Sequence, residues 1–236
     1  MLEIATAVRF CLDFRVTGYF MRRQRIWIAA TFCVWSALAL PAAVRAADLD
    51  VQVHGPDGAP IAGAVVAVHL VGQPTPRPRP AGTYMIDQQD IQFHPFVSTV
   101  PAGASVMFMN HDPVRHHVYS FSPAKKFELK LASKQQNQSV LFDKAGIVPL
   151  GCNIHDRMIA YLDVVDTPWA KTADASGHVV LHGIPAGAVT ISVWHPYLRT
   201  PGNSVSRNTV LSESAVHAER FVTPMRTPPH DPGSGY

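Results

Sequence analysis

The sequence predicts an all-β protein, and three observations point to this class. Apolar residues alternate with polar ones over short stretches instead of recurring at helical spacing. The chain contains 15 glycines and 20 prolines, enough to separate many short strands by turns. Hydrophobic residues make up 47% of the 236 positions and charged residues only 16%, which is the balance of a chain that buries a globular core.

Residues 1–46 have the three-part plan of a secretory signal peptide. Residues 21–25 are basic, residues 26–40 are apolar, and small residues lead to a predicted cleavage after Ala46. We interpret residues 1–20 as a possible start-site extension. The alternative is a signal that is retained as an N-terminal anchor, although the apolar run is shorter than the roughly 20 residues of a membrane span. A cleaved signal predicts a periplasmic or secreted protein with no membrane span.

Cleavage changes both the charge and the cysteine count of the chain. Six of the 20 basic and two of the 17 acidic residues precede Ala47, so the remainder has a formal charge of about −1 instead of +3. No basic surface remains that would favour a nucleic-acid partner. Cys11 and Cys33 are also removed, which leaves Cys152 as a single cysteine that cannot form an internal disulfide. Metal coordination would explain a thiol that persists in an oxidising compartment.

The first part of the mature chain, residues 47–72, predicts two short strands. Residues 49–53 and 61–68 flank the turn sequence Gly-Pro-Asp-Gly at 55–58, and we expect them to pair as a hairpin. Residues 73–82 are rich in proline, which predicts an extended polyproline linker.

A second strand-rich block is predicted over residues 83–166. Its expected strands are residues 93–97, 105–110, 117–121, 127–131, 138–142, 147–152 and 158–165. The loop with the Cys/His/Met motif lies between the last two of these strands.

The last part, residues 167–224, again predicts short strands separated by turns, as the first part does. Its expected strands are residues 178–181, 189–194, 204–211 and 218–222. Residues 225–236 are rich in proline, glycine and serine and predict a disordered tail.

Two stretches of these outer parts carry a family resemblance. Residues 57–66 are DGAPIAGAVV, and residues 174–187 are DASGHVVLHGIPAG. They resemble the two halves of a carboxypeptidase-regulatory-like β-sandwich. The resemblance implies that residues 47–72 and 167–224 form one smaller sandwich into which the central block is inserted, and insertion is tolerated where the ends of the inserted domain lie close together. The alternative is two unrelated β segments that flank a central domain.

The most informative motif is the run Cys152-x2-His155-x2-Met158. A thiolate, an imidazole and a thioether in one short loop can turn towards one metal ion. With one further histidine, they are the donor types that hold copper in electron-transfer sites. The stretch 110–118 supplies that histidine upstream.

The central block resembles the cupredoxins of the plastocyanin and amicyanin group. A strand ending in Asn110, a histidine six residues later, Val118 and the short Cys-x2-His-x2-Met loop carry the resemblance. It implies a Greek-key β-sandwich that holds one copper ion, which cycles between Cu(I) and Cu(II). The implied ligands are His116, Cys152, His155 and Met158. The resemblance also implies that Asn110 braces the ligand loop near the cysteine.

Two positions depart from the pattern of that family. His117 stands where relatives commonly have asparagine, so either His116 or His117 could be the upstream ligand. The spacing from Asn110 favours His116 and leaves His117 beside the ligands, because neighbours on a strand face opposite ways. Relatives often have an aromatic residue before the cysteine, whereas this chain has Leu150 and Gly151.

These features predict an exported one-electron carrier that is not an enzyme and that exchanges electrons with an unidentified redox protein. In relatives the loop histidine, here His155, reaches an apolar surface, and Pro113, Val114 and Ile154 are the residues that could form it. The alternatives are a periplasmic copper carrier or sensor and an adhesion-like binding module. A Cys152 nucleophile paired with His155 lacks an orienting third group, and zinc sites rarely use methionine.

Overall fold

The computed structural model describes residues 46–133, 137–213 and 215–227, and β-strands dominate this part of the chain. The strands are β1 Ala46–His54, β2 Val65–Leu70, β3 Tyr84–Gln89, β4 Gln92–His94, β5 Val97–Pro101, β6 Ala104–Asn110, β7 His116–Phe121, β8 Lys126–Leu131, β9 Asn137–Phe142, β10 Gly146–Cys152, β11 Ile159–Val165, β12 Ala170–Thr172, β13 His178–Pro185, β14 Gly187–Trp194, β15 Ser204–Leu211 and β16 Val216–Val222. Helix within these ranges is limited to the 3-10 turn Pro201–Asn203. The predicted all-β class is confirmed.

Strands β3 to β11 form a β-sandwich, which we call the central sandwich. One sheet has the order β5-β11-β10-β7-β8 and the other the order β4-β3-β6-β9. Alternating side chains from both sheets meet in one core, in which Phe108, Phe142, Val118 and Leu162 are fully buried. Cys152 and Met158 belong to the same core.

Strands β1, β2 and β12 to β16 form another sandwich, which we call the flanking sandwich. Its sheets have the orders β13-β1-β16 and β12-β2-β14-β15. Strands that precede the central sandwich in the chain therefore pair with strands that follow it. Strand β1, for example, is antiparallel to β13 and parallel to β16. The flanking core is almost wholly aliphatic, with Leu49, Val66, Ile184 and Ile191 among its fully buried residues.

The hairpin predicted at the start of the flanking sandwich is wrong. Strands β1 and β2 lie in different sheets, and the turn between them is closed by local backbone hydrogen bonds and an isolated bridge between His54 and Pro60. The strand β2 also begins at Val65 rather than at residue 61. Residues 64–68 are buried without alternation, which is typical of a strand covered on both faces rather than of a two-stranded ribbon.

The strand predicted over residues 93–97 is also divided in two. Strand β4 ends at His94, the His94–Pro95 peptide bond is cis, and strand β5 begins at Val97 in the opposite sheet. Strands β3 and β12 were not predicted, whereas the other predicted strands are present with ends shifted by a few residues. The proline-rich residues 74–81 carry no strand or helix.

The two sandwiches contact each other at strand β5 and at Tyr161, near the start of strand β11. The Thr99 and Thr172 hydroxyl oxygens lie 2.8 Å apart, which is a hydrogen bond across the contact. The ring of Tyr161 in the central sandwich meets Trp194 of the flanking sandwich edge to face, with ring centroids 5.9 Å apart. This contact covers β5, which is an edge strand of its sheet and would otherwise expose unpaired backbone groups.

The predicted signal peptide lies outside the described residues apart from Ala46, as do residues 228–236 of the predicted tail. Met225 forms a bridge with Leu198, and Arg226 donates a backbone hydrogen bond to Tyr197, so ordered structure continues past the predicted end of the flanking block. The domain boundaries stay predictions. No helix in the described ranges is long and apolar enough to cross a membrane.

Candidate metal centre

Strand pairing brings the upstream histidine and the cysteine to the same end of the central sandwich. Strands β7 and β10 are antiparallel neighbours, with Tyr119 opposite Gly151 and Val118 opposite Cys152. The first residues of β7 therefore lie beside the last residues of β10. Because side chains alternate along a strand, His116, Val118 and Cys152 all face the core.

The loop between β10 and β11 folds back over this end of the sheet. The backbone N–H of Asn153 donates to the carbonyl oxygen of His117 at 3.0 Å, which ties the start of the loop to β7. The backbone N–H of Met158 donates to the carbonyl oxygen of His155 at 3.0 Å and closes a tight turn. This turn directs the imidazole of His155 back towards Cys152.

Three predicted ligands converge at this point. The Nδ1 atoms of His116 and His155 lie 3.2 Å apart. The Sγ atom of Cys152 lies 3.9 Å from Nδ1 of His116 and 3.6 Å from Nδ1 of His155. His116 and Cys152 are buried, with 1% and 4% of their surfaces exposed, and His155 is partly exposed.

The cluster favours the metal-binding form of the cysteine. Burial alone would raise the pKa of the Cys152 thiol, but the neighbouring imidazole of His116, the backbone at His117 and Ile154, and the imidazole of His155 lower it to about 6. The thiolate is the form of cysteine that binds metal. Burial opposes charge on His116, yet its bonds to Cys152 and Asp112 raise the pKa of the imidazole above its ordinary value.

Met158, the fourth predicted ligand, lies at the end of the same loop. It is 1% exposed and belongs to the core of the central sandwich together with Cys152. Its role as an axial ligand stays a prediction.

His117 lies on the opposite side of its strand from the cluster. Its Nε2 atom is hydrogen-bonded to the carboxylate of Glu128, and its Nδ1 atom lies 3.4 Å from the amide nitrogen of Asn153. Of the two upstream histidines, His116 is therefore the one whose imidazole meets Cys152 and His155. His117 contacts the loop from outside, next to the cluster rather than within it.

Asn110 braces a different loop from the one expected. Its side-chain amide donates to the carbonyl oxygens of Val114 and Ala132, each at 2.8 Å, and its Oδ1 atom accepts the backbone N–H of Asp112 at 2.9 Å. These bonds fix the segment that leads into His116. The hydrogen bonds of Asn110 therefore go to residues 112, 114 and 132 rather than to the loop at the cysteine.

Sequence reasoning missed Asp112, which is hydrogen-bonded to His116. Its Oδ2 atom lies 2.8 Å from Nε2 of His116, and both side chains are almost completely buried. The signal was present as an acidic residue four positions before a candidate ligand. A sequence does not show which acidic residue will be buried, and solvated acidic residues are far more common.

Tyr119 was also missed, and it explains the glycine before the cysteine. A Cβ atom added at Gly151 would lie 2.7 Å from the Tyr119 ring and 2.8 Å from its hydroxyl oxygen. The ring of Tyr119 thus occupies the space that a side chain at position 151 would need. An aromatic ring is thus present beside Gly151, the residue before Cys152, but strand β7 supplies it rather than strand β10.

The donor set fits one small, thiophilic metal ion. Zinc–nitrogen and zinc–sulfur bonds are about 2.0–2.3 Å, so two ligand atoms that share such an ion lie within roughly 4.6 Å of each other. All three distances in the cluster meet this condition. An ionised Asp112 carboxylate only accepts hydrogen bonds, so Nε2 of His116 supplies the proton of this bond and Nδ1 is the ring nitrogen that faces the cluster.

Comparisons with known proteins give matches among solved structures only. No known family model matches the chain, and neither does any curated protein. Similar solved structures include a purple cupredoxin from Nitrosopumilus maritimus (18% identity, TM-score 0.32, covering 35% of this chain and 99% of that one). Amicyanin from Paracoccus versutus has 18% identity and a TM-score of 0.32, with 42% of this chain and 97% of that one covered.

The copper-containing nitrite reductase of Thermus scotoductus is a third similar structure, at 22% identity and a TM-score of 0.34. The match covers 42% of this chain but only 25% of the enzyme. Because identities are below 25% and TM-scores below 0.5, the function proposed below depends on the site itself. The resemblance of the outer segments to a carboxypeptidase-regulatory-like sandwich stays a prediction.

Proposed function

We propose that this protein binds one copper ion through His116, Cys152, His155 and Met158 and acts as an exported one-electron carrier. The observation that carries the proposal is the convergence of one thiolate sulfur and two imidazole nitrogens within 3.9 Å of one another. Copper, when bound by this donor set, supplies a one-electron couple between Cu(I) and Cu(II).

The donor types favour copper over the commoner alternatives. Soft sulfur ligands select copper, zinc and iron–sulfur clusters, whereas structural zinc sites are built from cysteine and histidine without methionine. Met158 is a fully buried thioether at the end of the ligand loop. An iron–sulfur cluster is held by several cysteine thiolates, and Cys152 is the sole cysteine in the described part of the chain.

The surroundings of the cluster hold its side chains in fixed positions. His116 begins a strand, Cys152 ends the neighbouring strand, and both belong to the packed interior of the central sandwich. A ligand set that moves little between two oxidation states lowers the reorganisation that accompanies electron transfer. The two strands and the short turn at His155 provide this constraint through backbone hydrogen bonds.

The surface around His155 suits contact with another protein. Ile154 and Val114 are large apolar residues with 43% and 40% of their surfaces exposed, and Pro113 is exposed beside them. His155 is partly exposed at the same end of the sandwich. We infer that a redox protein docks here and that electrons pass through the His155 imidazole.

A copper carrier or sensor is the second candidate, and one observation favours it. A surface hollow of about 430 Å³, lined by Ile91 and by His155 and its neighbours in the ligand loop, lies against the exposed side of His155. Such an opening would let a partner's ligand approach the ion. We propose no catalytic role, because four protein ligands leave no position for a substrate.

The test is the visible absorption spectrum of the exported protein with one equivalent of copper. The oxidised form is expected to show an intense thiolate-to-copper band, which the Cys152→Ser variant loses completely. The matched control is His117→Gln, which removes a neighbouring imidazole outside the cluster and should keep the band. A wild-type protein that binds copper without the band would contradict the proposal.

Redox cycling separates the two candidates. Reversible oxidation and reduction of the bound copper, without loss of the ion, is expected of the electron carrier. Transfer of copper to a metal-free acceptor protein without redox change would favour the carrier or sensor instead. The N-terminal residue of the exported protein, measured by mass spectrometry, tests the predicted cleavage after Ala46.

A further inference from the structure

Asp112 is a buried carboxylate with an unusual number of fixed partners. Its Oδ1 atom accepts the backbone N–H of Asp90 at 2.7 Å, and its Oδ2 atom accepts that of Ile91 at 3.1 Å. The Oδ2 atom also accepts from Nε2 of His116 at 2.8 Å. The side chain of Asp112 is 7% exposed and that of His116 is not exposed.

The turn that holds Asp112 is itself in a costly conformation. Asp90 and Ile91 have φ values of 54° and 56°, a left-handed region that β-branched residues such as isoleucine rarely adopt. In this conformation both backbone N–H groups point at one carboxylate. Because such strain persists only where the surroundings impose it, the turn and Asp112 hold each other in place.

The direction of the hydrogen bond to His116 decides which imidazole nitrogen faces the cluster. An ionised carboxylate has no hydrogen to donate, so Nε2 of His116 supplies the proton of this bond. A neutral imidazole carries one ring proton, so Nδ1 is left as the lone-pair atom. That atom is the one 3.2 Å from His155 and 3.9 Å from Cys152.

We propose that Asp112 is a positioning residue for the metal centre: it fixes the His116 tautomer that offers Nδ1 and holds a buried negative charge behind that ligand. This inference rests on the proposed copper site. A histidine ligand that donates its other N–H to a carboxylate is oriented and made more basic by it. A fixed anion close to the centre stabilises the more positive oxidation state of the ion, so it lowers the reduction potential.

The first test needs no metal and no substitution. Nitrogen-15 NMR of the histidine rings in the metal-free wild-type protein at pH 8 should show His116 as a single tautomer with its proton on Nε2. A proton on Nδ1, or a mixture of the two tautomers, would overturn the proposal. Because this measurement needs no copper, its outcome is distinguishable from the failure of the copper-carrier function.

The second test is the reduction potential of the copper-loaded Asp112→Asn variant. Asparagine keeps the size of the side chain and removes its charge. The ratio of Cu(II) to Cu(I) binding constants should fall by at least about tenfold, which is a rise in potential of about 59 mV for one electron. An unchanged potential in a folded variant that binds copper would overturn the proposal.

The matched control is Asp87→Asn. Asp87 is also a carboxylate paired with a histidine, His111, at 3.1 Å, but it does not contact the cluster. Its neutralisation should leave the potential unchanged, and an equal rise in both variants would show that the effect is not specific to Asp112. If Asp112→Asn does not fold, the tautomer measured in the wild-type protein decides the matter alone.

Discussion

The central and flanking sandwiches have the same architecture but differ in what they bury. Each encloses one core between two sheets. The flanking core consists of aliphatic residues and Phe221, whereas the central core includes Cys152 and Met158. Buried polar groups are also concentrated in the segment 110–122 of the central sandwich, which contains Asn110, Asp112 and His116.

This difference shows which part of the molecule carries the energetic cost of burying reactive polar groups. A buried carboxylate or imidazole is costly unless it is hydrogen-bonded, so such groups persist where their bonds are satisfied or where they act. In the central sandwich these groups lie at one end of the sheet and bond to one another. The flanking sandwich has the same kind of packing and buries the imidazole of His195 outside any such group, which indicates that the fold does not require the cluster.

The largest effects are expected from truncating matched leucines in the two cores. Leu162 and Leu49 are both fully buried, in the central and the flanking core respectively. Replacement of either by alanine should lower the free energy of unfolding by about 2–5 kcal/mol. If the sandwiches unfold separately, Leu162→Ala should weaken copper retention and Leu49→Ala should not, as followed by urea titration of the visible band. Equal loss of copper in both variants would mean that they unfold together.

Copper itself should stabilise only one of the two regions. A ligand at about 1,000 times its Kd adds roughly 4 kcal/mol to the stability of the part that binds it. Hydrogen exchange of backbone amides in strands β7, β10 and β11 should slow accordingly, while exchange in strands β1 and β14 stays the same. Slowing of similar size in both sandwiches would contradict a localised site.

Acid should weaken the flanking sandwich through His195. Burial lowers the pKa of this histidine from 6.5 to about 4. The unfolded chain therefore takes up the proton first, so stability present above pH 6.5 is lost as the pH falls towards 4. A shift of this size corresponds to a loss on the order of 3 kcal/mol.

The variant His195→Asn tests this dependence. Asparagine can still accept the backbone N–H of Tyr197, which lies 3.3 Å from Nδ1 of His195. The free energy of unfolding, measured by urea titration at several pH values, should vary less steeply between pH 6.5 and 4 than in the wild type. Parallel curves for the two proteins would show that His195 is not the cause.

The smallest effect is expected where Tyr119 covers Gly151. Alanine at position 151 would displace the Tyr119 ring, because its Cβ atom would lie 2.7 Å from that ring. We expect Gly151→Ala to cost about 1 kcal/mol, at the lower end of overpacking effects, since a ring at the surface can move aside. The same substitution in a Tyr119→Ala background should cost almost nothing. A double-mutant cycle by thermal unfolding measures the coupling, and strictly additive costs would contradict it.

The approach of His116, Cys152 and His155 to one another was easier to predict from the sequence than the pairing of the sheets. The alternation along residues 116–118 and the short run from Cys152 to Met158 are local, so they indicated which side chains could meet. The pairing of β1 with β13 and β16 depends on contacts between residues far apart in the chain. The Gly-Pro-Asp-Gly turn instead favoured a local hairpin, which was the simpler expectation. The roles of Asp112 and Tyr119 required the register of strands β6, β7 and β10.

The pairing of strand β1 with strand β16 has a consequence for how the chain assembles during translation. Residues 48–54 pair with residues 216–222, so β1 emerges from the ribosome long before strand β16 has been synthesised. The central sandwich draws all its strands from the intervening segment, which is complete earlier. Contacts between distant residues are slow to form. The nascent chain is therefore expected to fold its interior domain first and to close the outer strands around it last.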